Sequence, residues 1–168
     1  MLFRSPLAGI WTCPRPALSQ WHSLTVTMDG SSVANNPLMY VDGVSQTVTE
    51  ATTPTGTFTI DNTTLNLGNR NDNVRVWDGG LAEFAQWNRI LSAAEVAAIA
   101  AGDNPRTLAN LIEYIPMLTT DNPITSCLLA APTVVGTAII AHPIPSSGCG
   151  AGVTRSILTP VGMGIFRA

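Results

Sequence analysis

Hydrophobic and polar residues alternate through much of the chain. In "HSLTVTMDG" Leu24, Val26 and Met28 fall on one side and Ser23, Thr25 and Thr27 on the other, the two-residue period of a strand. Asp29-Gly30 then marks a turn. "LMYVDGVSQTVT" alternates on both sides of Asp42-Gly43, a dipeptide suited to the positive φ angles of a type I′ turn, and predicts a hairpin. "TGTFTI", "TLNLG" and "VRVW" predict further short strands, the last two separated by a polar loop over 69–73. "LAEFAQW" is apolar on both faces, with Leu81, Ala85 and Trp87 against Ala82 and Phe84, so it predicts a strand covered on both sides. "LIEYIPM" alternates again and Pro116 marks its end or an edge. "PTVVGTAIIAHP" predicts one or two more strands.

One segment has a different period. In "LSAAEVAAIAAG" Ser92 and Glu95 form a capping box, in which the serine side chain accepts from the Glu95 N–H and the glutamate reaches back to the Ser92 N–H. Leu91 and Val96 stand at the positions of a hydrophobic staple. Gly102 suits a left-handed cap, and Pro105 prevents continuation. A helix of about ten residues is unstable alone in water. Val96, Ile99 and Ala100 are therefore expected to pack on the strands, making the helix a lid on a sheet. The cap already accounts for Glu95 without a catalytic role.

The ends read differently from the middle. Residues 1–20 lack a period and hold three prolines, which predicts an N-terminal arm; 21–144 form the β domain; 145–168 form a second arm. That second arm is rich in Gly, Ser and Pro yet carries Ile157, Leu158, Ile165 and Phe166, too apolar for a solvated tail. It is expected to add to a sheet edge and fill pockets with those side chains, making them the expected assembly contacts.

Composition supports burial against neighbours. Of 168 residues 45% are hydrophobic and 11% charged, and mean hydropathy is +0.24. Either the core is large or a partner covers part of the surface. The net charge of −3 gives no general attraction to nucleic acid or to an anionic membrane. The opening residues do not form a convincing signal peptide, and "CLLAAPTVVGTAIIAHPI" is broken by Pro132, Gly136 and Pro143, so strands are expected there rather than a membrane helix. Cys13, Cys127 and Cys149 lie far apart with no histidine at ligand spacing; free thiols are expected, and no metal or cofactor.

Several stretches together resemble a known family. "WHSLTVTMDG", "LMYVDGV", "LNLGNR" and "GGLAEFAQWNRILSAAEVAAI" are similar, in order and spacing, to motifs of the laminin-G-like, concanavalin A-like jelly-roll domain. The resemblance covers Trp21 to about Gly102 and implies an all-β antiparallel sandwich, the fold that the strand pattern also predicts. The family's domain carries a long opening section before its W-H strand, whereas here only twenty residues precede Trp21. The missing strands are expected from the C-terminal side or from another chain. The residues from "LIEYIPM" onward also resemble the segment that follows this domain in tailed-phage particle proteins.

Some relatives with this fold are glycoside hydrolases, which need two close carboxylates. Glu50, Glu83, Glu95 and Glu113 are far apart in sequence and no E-x-D-x-E cluster occurs. His22 is expected to be a packed strand residue. No nucleophile elbow or phosphate loop is present. The expectation is a non-catalytic assembly module, a capsid-decorating or head-stabilising protein of a phage particle that contacts capsid protein or copies of itself. The alternative is an extracellular carbohydrate-binding module. In that reading Asn69, Asn71, Asp72 and Asn73 supply polar contacts to a surface glycan and Trp77, or Trp87, stacks on the sugar. Ala82 stands where the family often has an acidic residue, which weakens a calcium site.

Overall fold

The computed structural model describes residues 2–4, 9–56, 67, 80–116 and 165–167. The described strands are β1 (Leu2–Arg4), β2 (Ile10–Thr12), β3 (Ser23–Thr27), β4 (Leu38–Val41), β5 (Val44–Ser45), β6 (Thr49–Thr52), β7 (Phe84–Trp87), β8 (Leu111–Ile115) and β9 (Ile165–Arg167). One helix, α1 (Ala93–Ala101), lies between β7 and β8. Every described pairing is antiparallel, in the orders β1-β2-β6, β5-β4-β3-β9 and β7-β8. Among the described residues this is the all-β antiparallel fold with one short α-helix that the pattern predicts.

The β3–β4 pair lies between two clusters. Val26 pairs with Met39, and both join Met28 and the fully buried Trp11 of β2. Thr25 pairs with Tyr40, and Tyr40 belongs to the second cluster, with Ala85, Trp87, Leu91, Val96, Ile99 and Tyr114. Successive strand residues face opposite ways, so one sheet serves both. The alternation puts Ser23, Thr25 and Thr27 on a face of their own, and the structure buries them as fully as Leu24 and Val26. Alternation records polarity, and a layer that covers a threonine face leaves no trace in it.

The Asp42-Gly43 hairpin forms as expected. Both residues take positive φ, 51° and 78°, and Tyr40 and Val41 pair with Ser45 and Val44. Its second strand is shorter than the alternation suggests. β5 has two residues, and the chain then crosses to β2, where Thr49–Thr52 pairs as β6. Part of the segment expected to be an arm is also built into the fold. Ile10–Thr12 is a strand between β1 and β6, and Trp11 sits in the core. The prolines at 14 and 16 interrupt the period only after that strand has ended.

The helix has both expected caps. Ser92 accepts from the Glu95 N–H, and Glu95 accepts from the Ser92 N–H at 2.8 Å. Gly102 takes φ 112°, and the N–H groups of Gly102 and Asp103 donate to the carbonyls of Ile99 and Ala98, a Schellman arrangement. Leu91, Val96 and Ile99 are buried in the same cluster. Burying such side chains contributes about 1.5–3 kcal/mol each, and this packing is what holds nine residues helical.

Candidate functional site

Asp42 does more than turn a hairpin. Its Oδ1 accepts from the Ser23 N–H at 2.9 Å, and its own N–H donates to the Ser23 carbonyl at 2.8 Å. Its Oδ2 lies 2.7 Å from Nδ1 of His22, and Nε2 of His22 lies 3.1 Å from the Ala17 carbonyl. Both ring nitrogens thus face acceptors. A doubly protonated ring donates to both, whereas a neutral ring carries only one N–H. His22 is buried and Asp42 is exposed. The imidazole therefore ties the segment before β3 to the β4–β5 turn. The expectation that His22 is a packed strand residue holds for its burial; its carboxylate partner was not legible, because Asp42 reads fully as a turn residue.

Glu95 is likewise engaged. Besides the cap, it takes a bidentate contact from Arg89, with Nη1 at 2.9 Å from Oε2 and Nη2 at 2.6 Å from Oε1. The Arg89 Nε–H also donates to the Ala109 carbonyl at 3.0 Å, so one side chain joins the helix start to the residues before β8. The arginine, and then the Ser92 N–H, hold the Glu95 carboxyl down at about 2.

Two other acids, thirty positions apart in sequence, are also taken into the interior. Glu83 and Glu113 are both buried in the β7–β8 unit. Glu113 pairs with Gln86 and accepts from the Tyr114 N–H at 2.8 Å; the Glu83 N–H donates to the Pro116 carbonyl at 3.3 Å. Glu83 takes φ 55°, which breaks the alternation at 81–83 and starts β7 at Phe84.

Of the expected site residues, Asn69, Asn71, Asp72, Asn73 and Trp77 lie outside the described residues, as do Ile157 and Leu158. Ile165 and Phe166 lie in β9, whose backbone pairs with β3 of the same chain: Ser23 with Arg167, Leu24 with Phe166, Thr25 with Ile165. Trp87 is corrected as a sugar platform. It is 1% exposed inside the core, where no ring face reaches solvent. Cys13 is a free thiol, while Cys127 and Cys149 lie outside the described residues. Among the described residues no group of three or more His, Cys, Asp or Glu side chains is placed to hold a metal ion, and no helix is long and apolar enough to cross a membrane.

The family model of the concanavalin A-like lectin/glucanases superfamily matches residues 8–97, more than half of the chain. The match starts ahead of Trp21 and takes in β2 with its buried Trp11. No curated protein and no solved structure matches the chain.

Proposed function

Because the chain belongs to the concanavalin A-like lectin/glucanase superfamily, we propose that it is a non-catalytic assembly module, and specifically a protein that decorates or stabilises a phage capsid. Membership fits a structural or a carbohydrate-binding module equally. The observation that carries the non-catalytic reading is how Glu95 and His22 are used. Glu95 is held by the cap and by Arg89, and His22 by Asp42 and the Ala17 carbonyl. A general acid or base must present a free proton position to substrate, and these contacts occupy both groups.

Low charge and high hydropathy support assembly over a free, soluble existence. The partner in this reading is a capsid protein or further copies of the chain, in the particle. The test is fractionation: the protein sediments with intact particles at a fixed copy number. Recovery only in the particle-free fraction rejects the reading. The second reading, glycan binding through Asn69, Asn71, Asp72, Asn73 and Trp77, is favoured by the lectin side of the superfamily. Glycan-array binding that is lost in Trp77→Ala selects it.

A further inference from the structure

Asp42 and Gly43 are each fixed by the fold for a separate reason. Asp42 is held by its carboxylate, which binds the start of β3. Gly43 is held by its φ of 78° and by its lack of a side chain, since a Cβ there would collide with the backbone of Ala97 in α1. Together they make Asp-Gly, the dipeptide in which an aspartate is most open to attack by the backbone. No side chain on the glycine hinders its nitrogen as it approaches the aspartate Cγ. The new N–Cγ bond closes a five-membered succinimide, and the amide hydrogen leaves with the carboxyl hydroxyl as water. Water then adds back to the ring. Opening at the side-chain carbonyl restores aspartate. Opening at the main-chain carbonyl leaves isoaspartate, with one methylene more in the backbone and no change in mass.

We propose that Asp42 is such a modification site and that its clamp on β3 restrains the reaction. Cyclisation requires the carboxyl to turn toward the Gly43 nitrogen and shed an oxygen. In the fold Oδ1 accepts from the Ser23 N–H at 2.9 Å, Oδ2 lies 2.7 Å from Nδ1 of His22, and the Asp42 N–H donates to the Ser23 carbonyl at 2.8 Å. These contacts engage both oxygens and tie down the backbone before the reacting bond. Burial is not the restraint, because the Asp42 side chain is 53% exposed and water reaches it. Conversion therefore waits for the turn to leave β3. Once formed, isoaspartate prevents reclosure: its free carboxylate sits directly on Cα, short of Ser23 and His22, and the added methylene moves Gly43 relative to Ala97. The chain carries its own comparison. Among the described residues Asp-Gly occurs a second time, as Asp29-Gly30 in the exposed loop after β3. The Asp29 carboxylate is held by Ser31, two residues along in that same loop. The two sites share their reacting atoms and differ in what holds the carboxylate. Both stand whether or not the chain assembles.

The test follows the full-length chain over several weeks at neutral pH and body temperature, native and unfolded in guanidinium chloride. Samples are digested, and isoaspartate is located at each position by electron-transfer fragmentation, which cleaves the extra backbone bond. In the native chain Asp42 should convert about tenfold more slowly than Asp29, the factor expected where hydrogen bonds to a charged group must break first. In the unfolded chain the gap should close. His22→Phe keeps a ring in the buried position without a donor; with its fold confirmed by circular dichroism, it should speed Asp42 severalfold and leave Asp29 unchanged. Equal native rates at the two sites overturn the restraint, and so does a gap that persists in denaturant, which would belong to local sequence alone. A folded His22→Phe chain with the original Asp42 rate overturns the clamp as its cause. No conversion at Asp42 in the unfolded chain overturns the site itself. The comparison of native and unfolded wild-type chains decides between these even where the variant does not fold.

Discussion

Two neighbouring residues show how much one turn can carry. Asp42 sits at φ 51° and holds Ser23 and His22 with its carboxylate. Asp42→Gly accepts the conformation but drops those contacts; Asp42→Ala drops the contacts and resists the conformation as well. Denaturant unfolding should show losses of about 1–2 kcal/mol for the glycine and about 2–3 for the alanine. Equal losses would mean that the backbone angle is irrelevant. Gly43 is restricted twice over. Its φ is 78°, and an added Cβ would lie 2.9 Å from the Ala97 Cα and 3.2 Å from the Ala100 Cβ. Gly102 shares the left-handed angle, but a Cβ there would meet nothing within 4 Å. Gly43→Ala should therefore cost about 2–4 kcal/mol and Gly102→Ala about 1. If the two cost the same, the close approach of turn and helix is not a real constraint. The Asp-Gly signal predicts the turn, but the helix pressed against it lies fifty residues further on and leaves no local mark.

At the scale of elements, the helix was the most legible part, because its signals are local. Ser92, Glu95 and Gly102 announce both ends, and Leu91 and Val96 announce the buried side. Arg89 was not legible, since its reach to Glu95 and Ala109 depends on how the chain enters the helix. It matters for acid stability. The Glu95 carboxyl titrates near 4.5 in an unfolded chain and is held at about 2 in the fold. The folded state thus binds fewer protons in that interval. Its contribution is complete above pH 4.5 and is lost as pH falls through about 2. Glu95→Gln should lower stability at pH 6 by about 1 kcal/mol and flatten the profile between pH 5 and 2. An unchanged slope in E95Q would assign the acid sensitivity to other carboxylates. Ile99→Ala should cost about 2–4 kcal/mol, through the cluster it shares with Tyr40 and Trp87.

Over the whole molecule, class and pairing sense followed from the period-two pattern, whereas layering did not. The alternation of β3 separates an apolar from a Ser-Thr face but does not say that both are buried, as they are in the structure. Residues 10–12 read as lead-in because three residues are too few to establish a period, yet Trp11 joins β2 to the β3–β4 sheet. Trp11→Ala should cost about 3–5 kcal/mol in equilibrium unfolding, the loss expected of a core residue; a detachable arm would lose almost nothing. The candidate site was legible only in residue types. His22 and Asp42 each had a complete local reading, and their meeting is a product of hairpin register.

The indole of Trp87 has a consequence that can be watched directly. It is 1% exposed, and its N–H has no acceptor among the described residues. A ring in that position emits at short wavelength, and its N–H resonance is displaced from those of hydrogen-bonded indoles. Deuterium reaches it only when the cluster around the helix opens. Trp87 thus makes the junction of α1, β4, β7 and β8 self-reporting: the rate at which that single proton disappears in heavy water measures how often the helix lifts from the sheet, without any label.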